Sequence, residues 1–319
     1  MTPWIKKDLL CIQELSKEEL EILLDTAKAF KQVGTRQLKK VPALRGKTLV
    51  NLFIEPSTRT RVSFELAAAR LSADVISINA DTSSIIKGES LKDTAKNLEA
   101  LLTDIIVLRH PSPGAADFLA KRCHASIINA GDGAHAHPTQ ALLDVFTIRE
   151  KLGRVEGLHV AIIGDILFSR VARSNIFALM KLGARVTLLG PSTLVPRVFE
   201  ELGVSVARRI EDVLPEVDVI SLLRIQHERQ RKEYFPGLAE YRSLFTLTQE
   251  RAKLLKPGCI ITHPGPINRG VEIDSDVADS HQSVVLDQVT NGLAMRMAVL
   301  YLCGGGGKSV PSLKASAPA

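Results

Sequence analysis

Aromatic side chains are scarce in this chain of 319 residues, at 4% with a single tryptophan. That disfavours nucleic-acid binding, because a strand-binding groove needs stacking faces interleaved with basic residues. The formal charge of +6 does not restore the reading, since the basic residues are scattered and form no stripe. A small anionic substrate accounts for the balance better. Cysteine is scarce too: Cys11, Cys123, Cys259 and Cys303 lie far apart with no C-x-x-C pair. Neither a zinc ribbon nor a disulfide framework is indicated, and a reducing cytoplasm fits. No uninterrupted apolar run approaches the roughly 18 residues of a membrane span, and Met1 to Lys7 carries no apolar signal core, so a soluble, unexported protein without membrane contact is expected. The dinucleotide fingerprint is missing as well. Gly164-Asp165-Ile166-Leu167-Phe168-Ser169 has no G-x-G-x-x-G, and Gly307-Lys308-Ser309 imitates a P-loop only at its end, with Leu302 where the first glycine belongs.

What is present is an alternation of strand and helix signals. With 45% hydrophobic and 24% charged residues the chain is an ordinary globular sequence, and its length suggests two domains of about 150 residues each. Ser16-Lys17-Glu18-Glu19 is a capping box, and Leu20, Leu23, Leu24 and Ala27 follow at helical spacing, predicting a helix from 17 to about 32. Apolar runs predict strands at Lys47–Phe53, Asp74–Ile78, Asp104–Leu108 and Ser126–Asn129. Helices are expected from Ser90 to about Leu102, from Ala115 to Arg122 and from Pro138 to about Lys151, so residues 1–152 read as one parallel unit. The polar break Gly153 to Gly157 precedes a second series, with strands at His159–Asp165, Arg185–Leu189, Asp218–Leu223 and Cys259–Thr262. Residues 153–286 therefore read as a second domain. A last helix, about 287–303, carries Leu293, Met297 and Leu300 on one side and is expected to pack back on the first domain. Residues 304–319 read as a flexible tail. The fold class is α/β, two doubly wound parallel-sheet domains with the active site in the cleft between them.

Open parallel sheets bind ligands beyond the carboxyl ends of their strands, and three predicted strand ends are rich in donors. The first runs into Glu55-Pro56-Ser57-Thr58-Arg59-Thr60. Pro56 forbids an earlier helix start, Ser57 is a natural N-cap, and the free N–H groups of the first turn make a phosphate site. For Ser-Thr-Arg alone, a capped helix with solvated arginines is the plainer alternative. The third strand ends at Arg109-His110-Pro111 and the fourth at Gly131 to Gln140. A guanidinium at a strand mouth suits bidentate phosphate or carboxylate recognition. His135 and His137, near Asp132, would face one way on an extended segment and could suggest a metal, but no third ligand cluster supports it. A histidine opening a helix before Pro138 can instead donate to a substrate oxygen.

Phe53 to Arg61, with Arg109-His110-Pro111 and His137-Pro138-Thr139-Gln140, resembles the carbamoyl-phosphate half of the aspartate and ornithine carbamoyltransferase family, and the likeness spans nearly the whole chain. The resemblance implies that Ser57, Thr58, Arg59, Thr60 and Arg109 hold the phosphate, that Thr60, Arg109 and His137 meet the carbonyl oxygen, and that Gln140 contacts the carbamoyl amide. Arg59, Thr60, Arg109 and His137 would be the catalytic set. No cofactor, metal or covalent nucleophile is implied; the acceptor amine attacks and the departing phosphate takes its proton. Ornithine enzymes typically carry Asp-x-x-x-Ser-Met-Gly and His-Cys-Leu-Pro segments, and neither is present. Leu222 to Arg229 resembles the aspartate-binding loop instead, with Arg170, Arg224 and Gln226 meeting aspartate and the backbone of Pro264 and Gly265 accepting from its amino group. Gly265 stands where some members have leucine.

Ser83 and Lys87 resemble a loop that completes the neighbouring subunit's site, which implies a homotrimer. Lys87 would reach both phosphate and the acceptor carboxylate. His263 to Gly270 looks more like forms that associate with dihydroorotase than like those with regulatory chains. The implied reaction takes carbamoyl phosphate and L-aspartate to N-carbamoyl-L-aspartate and phosphate, in pyrimidine biosynthesis in the cytoplasm. Another acceptor such as ornithine, or a catalytically silent assembly subunit, are the alternatives.

Overall fold

The computed structural model describes residues 3–79, 88–225 and 237–305. Ser16 opens the first helix as its capping box requires, its Oγ accepting from Glu19 N at 3.2 Å while Glu19 Oε2 accepts from Ser16 N at 2.9 Å. The helix, α1 (Lys17–Val33), buries Leu20, Leu23, Leu24 and Ala27 along one side. Then follow β1 (Thr48–Phe53), α2 (Thr58–Arg70), β2 (Asp74–Asn79), α3 (Leu91–Ala100), β3 (Ile105–His110), α4 (Ala115–Ala120), β4 (Ser126–Asp132) and α5 (Pro138–Leu152). The four strands form one parallel sheet in the order β2-β1-β3-β4.

The second half runs β5 (His159–Ile163), α6 (Arg170–Lys181), β6 (Arg185–Leu189), β7 (Ser205–Val206), β8 (Val219–Leu222), α7 (Leu238–Phe245), α8 (Gln249–Ala252), β9 (Ile260–Thr262), α9 (Ser275–Ala278) and α10 (Val285–Cys303). Its sheet is again parallel, in the order β7-β6-β5-β8-β9. The strand order reverses between β1 and β3 in one sheet and between β5 and β8 in the other. A doubly wound sheet opens its crevice at such a switch point, so the connections leaving these four strands are where a ligand would sit.

One apolar cluster runs from Phe53 and Ile128 in the first sheet through α5 and α6 to Val160 and Leu188 in the second, while the two outer sheet faces have clusters of their own. The last helix departs from its expected one-sided pattern. It lies against α1, α2 and α5 together, and Met295, Met297, Ala298, Val299 and Leu300 are all buried. A helix wedged among three others is apolar nearly all round, as its sequence is. Two strands reach further than their apolar runs predict, β3 to His110 and β4 to Asp132, because polar residues at a strand mouth still pair through the backbone. The two-residue β7 at the sheet edge was not predicted, being too short to show any period.

Candidate active site

At the start of α2, Ser57 occupies the N-cap with φ −164° and ψ 97°, yet its side chain makes no capping bond. Ser16, Ser90 and Ser169 at other helix starts all accept such a bond. The Ser57 hydroxyl and the first-turn N–H groups are thus left to an anion, with the helix dipole behind them. Arg59, one turn on, forms no hydrogen bond or ion pair with any described residue. Burial, and then the like charge of Arg224, hold its pKa below the usual guanidinium value. Two cations from opposite halves therefore repel each other across the cleft, an electrostatic arrangement that suits an anion. Thr60 is buried beside them and Thr58 is exposed.

Arg109 comes in on β3, paired in register with Phe53 of β1, so backbone pairing alone brings the two strand ends together. Its Nη1 donates to Ala130 O at 3.1 Å and its Nη2 to Glu55 Oε1 at 2.6 Å. Arg170, the first residue of α6, is 3% exposed and donates from Nη1 to Glu55 Oε2 at 3.0 Å and to Gly133 O at 3.1 Å, with Nη2 also bonded to Glu55. Glu55 thus clamps one arginine from each half. Gly131, at φ +116°, lets β4 end beneath them: a Cβ there would lie 3.0 Å from Arg170 Cζ and 3.2 Å from Arg109 Nη1. The sequence reading gave Glu55 no role, although an acid between an apolar strand and Pro56 at an arginine-lined mouth was the available signal.

His137 is the N-cap of α5 with Pro138 at its first turn, and its N–H donates to Ser174 Oγ at 2.9 Å, tying it to α6. His135 does not share its direction. Residues 133–135 turn, so His135 lines a small pocket with Cys11 and Phe199 while His137 lines the cleft. Asp132 is already committed, accepting from Gly114 N, Asn129 Nδ2 and Ala136 N and meeting His135 Nδ1 at 2.9 Å. The expectation that the two histidines face one way is therefore corrected. Among the described residues no group of three His, Cys, Asp or Glu is arranged to hold a metal.

Gln140 lines the cleft on the first turn of α5. From the second half come Arg224, just past β8, and Pro264 and Gly265, just past β9. His263 Nδ1 accepts from Gly265 N at 2.8 Å, which leaves Nε2 to carry the proton and donate to buried Glu272 Oε1 at 3.1 Å. That dyad, absent from the sequence reading, shapes the turn. Gly265 has φ +66°, and a Cβ on it would fall 2.0 Å from Arg59 Nη1, so glycine lets this turn approach the guanidinium closely. The cleft so formed measures about 1860 Å³ and is lined by both halves. Gln226, Ser83 and Lys87 lie outside the described residues.

Behind Gln140, Asp144 is 2% exposed, and burial pushes its carboxyl up to about 6 against the donors of Asn175, Gln288 and Gln140. A folded-state pKa above the unfolded one means that this group's contribution to stability is full below about pH 4 and is lost as the pH rises through about 6. Asp144→Asn, which cannot ionise, should therefore gain about 2 kcal/mol relative to wild type between pH 4 and pH 7. Denaturant unfolding of both proteins at the two pH values checks this; a pH-independent difference would refute the shift.

Two family models match the chain: aspartate/ornithine carbamoyltransferase, carbamoyl-P binding domain, over residues 7–150, and aspartate/ornithine carbamoyltransferase, Asp/Orn binding domain, over residues 156–303. The aspartate carbamoyltransferase catalytic subunit of Opitutus terrae is 60% identical over 304 residues, covering 95% of this chain and 97% of that one. That of Syntrophotalea carbinolica is 59% identical, covering 95% and 96%. Among solved structures, aspartate transcarbamoylase of Trypanosoma cruzi in complex with carbamoyl phosphate and aspartate superposes with a TM-score of 0.85 at 30% identity, covering 93% and 97%. Ornithine carbamoyltransferase from Pyrococcus furiosus gives 0.82 at 34% identity, covering 96% and 99%, so the backbone alone does not separate the two acceptors. The chain belongs to the aspartate/ornithine carbamoyltransferase family.

Proposed function

We propose that the protein transfers the carbamoyl group of carbamoyl phosphate to the amino group of L-aspartate, giving N-carbamoyl-L-aspartate and phosphate, as an enzyme of pyrimidine biosynthesis. The observation that carries this reading is the pair of facing cations, Arg59 and Arg224, beside a helix start whose N-cap hydroxyl is unused. The phosphate of the donor sits on Ser57, Thr58, Arg59 and Thr60, and Arg109 spans phosphate and carbonyl oxygen. Thr60, Arg109 and His137 donate to that oxygen as the aspartate nitrogen bonds to the carbonyl carbon and negative charge builds on it. The carbon–oxygen bond to phosphate then breaks, and the leaving phosphate takes the proton released by the amine. Binding the two substrates side by side in one cleft supplies the rest of the acceleration through proximity.

Aspartate brings two carboxylates, for which Arg170, Arg224, Gln226 and Lys87 are the candidates, while the carbonyls of Pro264 and Gly265 receive the amino group. The carboxylate of aspartate would compete with Glu55 for Arg170. The relatives at 59–60% identity are named as aspartate enzymes, and the ornithine segments are missing from this chain. The site is read as shared within a homotrimer, Ser83 and Lys87 coming from a neighbour, with residues 1–152 plus the last helix as the carbamoyl-phosphate domain and 153–286 as the aspartate domain. Dihydroorotase or regulatory chains are further partners to look for. A cytoplasmic location is supported by four buried cysteines, none of them disulfide-bonded. No described helix is long and apolar enough to cross a membrane.

The deciding experiment offers purified protein carbamoyl phosphate with aspartate or ornithine separately and measures its mass in solution. Turnover with aspartate by a trimer is expected. Preference for ornithine would overturn the acceptor assignment, and a trimer without turnover would favour a silent assembly subunit. Arg224→Ala should raise the KM for aspartate about 100-fold, the cost of one charged contact, and leave the KM for carbamoyl phosphate within a few-fold. Equal losses for both substrates would remove Arg224 from the acceptor site.

A further inference from the structure

Asp144 sits one helical turn beyond Gln140 on α5, wholly inside the protein, and collects three side-chain amides from three different helices. Its Oδ1 accepts from Gln140 Nε2 at 2.9 Å and from Gln288 Nε2 at 2.7 Å, and its Oδ2 accepts from Asn175 Nδ2 at 3.0 Å. Gln288 in turn accepts from His263 N at 2.9 Å through Oε1, just before the Pro264-Gly265 turn. The one strong charge facing Asp144 from α10 is Arg296.

An ionised carboxylate has acceptors only. It can therefore be satisfied only if every neighbouring amide turns its NH₂ toward it, and three have done so. For Gln140 this settles an orientation that the amide alone leaves open. With Nε2 held against Asp144, the opposite end, Oε1, accepts no hydrogen bond from any described residue, and the side chain lines the cleft. A carbonyl oxygen presented there accepts from an NH₂ on the bound donor. Turned the other way, the same glutamine would present a donor and repel it.

We propose that Asp144 is a positioning residue that locks the Gln140 amide with its oxygen toward the donor's NH₂, and so makes the site select a carbamoyl phosphate over an acyl phosphate of the same shape and charge. The inference rests on carbamoyl phosphate being the donor. Acetyl phosphate is the informative competitor, because it keeps the phosphate and the carbonyl and replaces the NH₂ by a methyl group. Its binding uses the anion cradle but has nothing for Gln140 Oε1 to accept.

The experiment measures the dissociation constants of carbamoyl phosphate and acetyl phosphate for the full-length wild type, Asp144→Leu, Asp144→Ser, Asp144→Asn and Gln140→Met. Wild type should prefer carbamoyl phosphate by about tenfold, the worth of one well-made hydrogen bond at a buried site. Asp144→Leu and Asp144→Ser, which remove the carboxylate acceptor or shorten it out of reach, should lose most of that preference through weaker carbamoyl phosphate binding, with acetyl phosphate unchanged to within about twofold. Gln140→Met should match them. Asp144→Asn should restore the preference, since its Oδ1 still accepts from Gln140 and its Nδ2 can donate to Asn175 Oδ1, which has no partner in the wild type.

A loss of affinity equal for both ligands would mean that Asp144 only supports the cradle, and would overturn the proposal; so would an unchanged preference in Asp144→Leu or Asp144→Ser. Should neither variant fold, the wild type decides. Its Gln140 side-chain NH₂ resonances, assigned through Gln140→Met, should exchange with water far more slowly than those of an exposed glutamine, and fast exchange refutes the lock. A wild type that binds neither phosphate fails on the function itself, which keeps the two failures distinct.

Discussion

Arg59→Ala is expected to lower kcat/KM for carbamoyl phosphate by about a thousandfold, with most of the loss appearing as weaker binding of the phosphate. The argument is electrostatic. Arg109 and Arg170 are already partnered by Glu55, so an arriving dianion gains from them only in competition with that carboxylate. Arg59 has no described partner, and its charge is opposed by Arg224, so the anion relieves a repulsion as well as making a bond. Removing the guanidinium forfeits both terms. Arg59→Lys should recover only a small part, since an ammonium is a point charge where the fork of a guanidinium can hold two phosphate oxygens. Steady-state kinetics and inorganic phosphate inhibition measure this, and wild-type affinity for phosphate in Arg59→Ala would take Arg59 out of the cradle.

The second large effect belongs to the carbonyl oxygen. His137→Ala should lower kcat by about 100-fold or more while KM for either substrate moves only a few-fold. A donor aimed at an oxygen that becomes negative only during reaction contributes little to the resting complex and much at the barrier. The structure makes His137 suited to that duty: it is buried, placed at the N-cap of α5, and its backbone N–H is tied to Ser174 Oγ on α6. A fixed donor pays no reorganisation cost as charge develops. Should the variant raise KM in proportion and leave kcat intact, His137 would be a substrate anchor with no part in the chemical step.

Parts of the candidate site could be read in advance. The Ser57 to Thr60 helix start was legible because it is local: an apolar strand, a proline and a run of donors spell a strand-to-helix turn within a dozen residues. Arg109 and His137 were legible as strand-end and helix-start residues, and the doubly wound rule then predicted that they meet. Glu55 was on the page as a letter without a role, because its meaning depends on Arg170, 115 residues away in the sequence. Asp144 was still less visible. Inside α5 it looks like an ordinary helical acid, and only the packing of α6 and α10 on that face turns it into a buried acceptor for three amides. The direction of His135 was misread for the same reason, since alternation holds on a strand and fails in the turn that follows β4.

By itself, then, the sequence determined two parallel α/β units, the strand-end motifs and, through the absence of ornithine-type segments, the direction in which to look for the acceptor. Those follow from short-range chemistry: apolar period, capping, and donors placed where a turn must be. What only the tertiary structure decided is how charge is shared in the cleft. It showed that Glu55 holds Arg109 and Arg170, that Arg59 stands against the like charge of Arg224, and that Gly265 is the residue letting the turn after β9 approach the Arg59 guanidinium. The reason is physical: a charge's effect in a low-dielectric cleft depends on what stands within a few ångströms of it, and that neighbourhood is assembled from segments far apart in the chain.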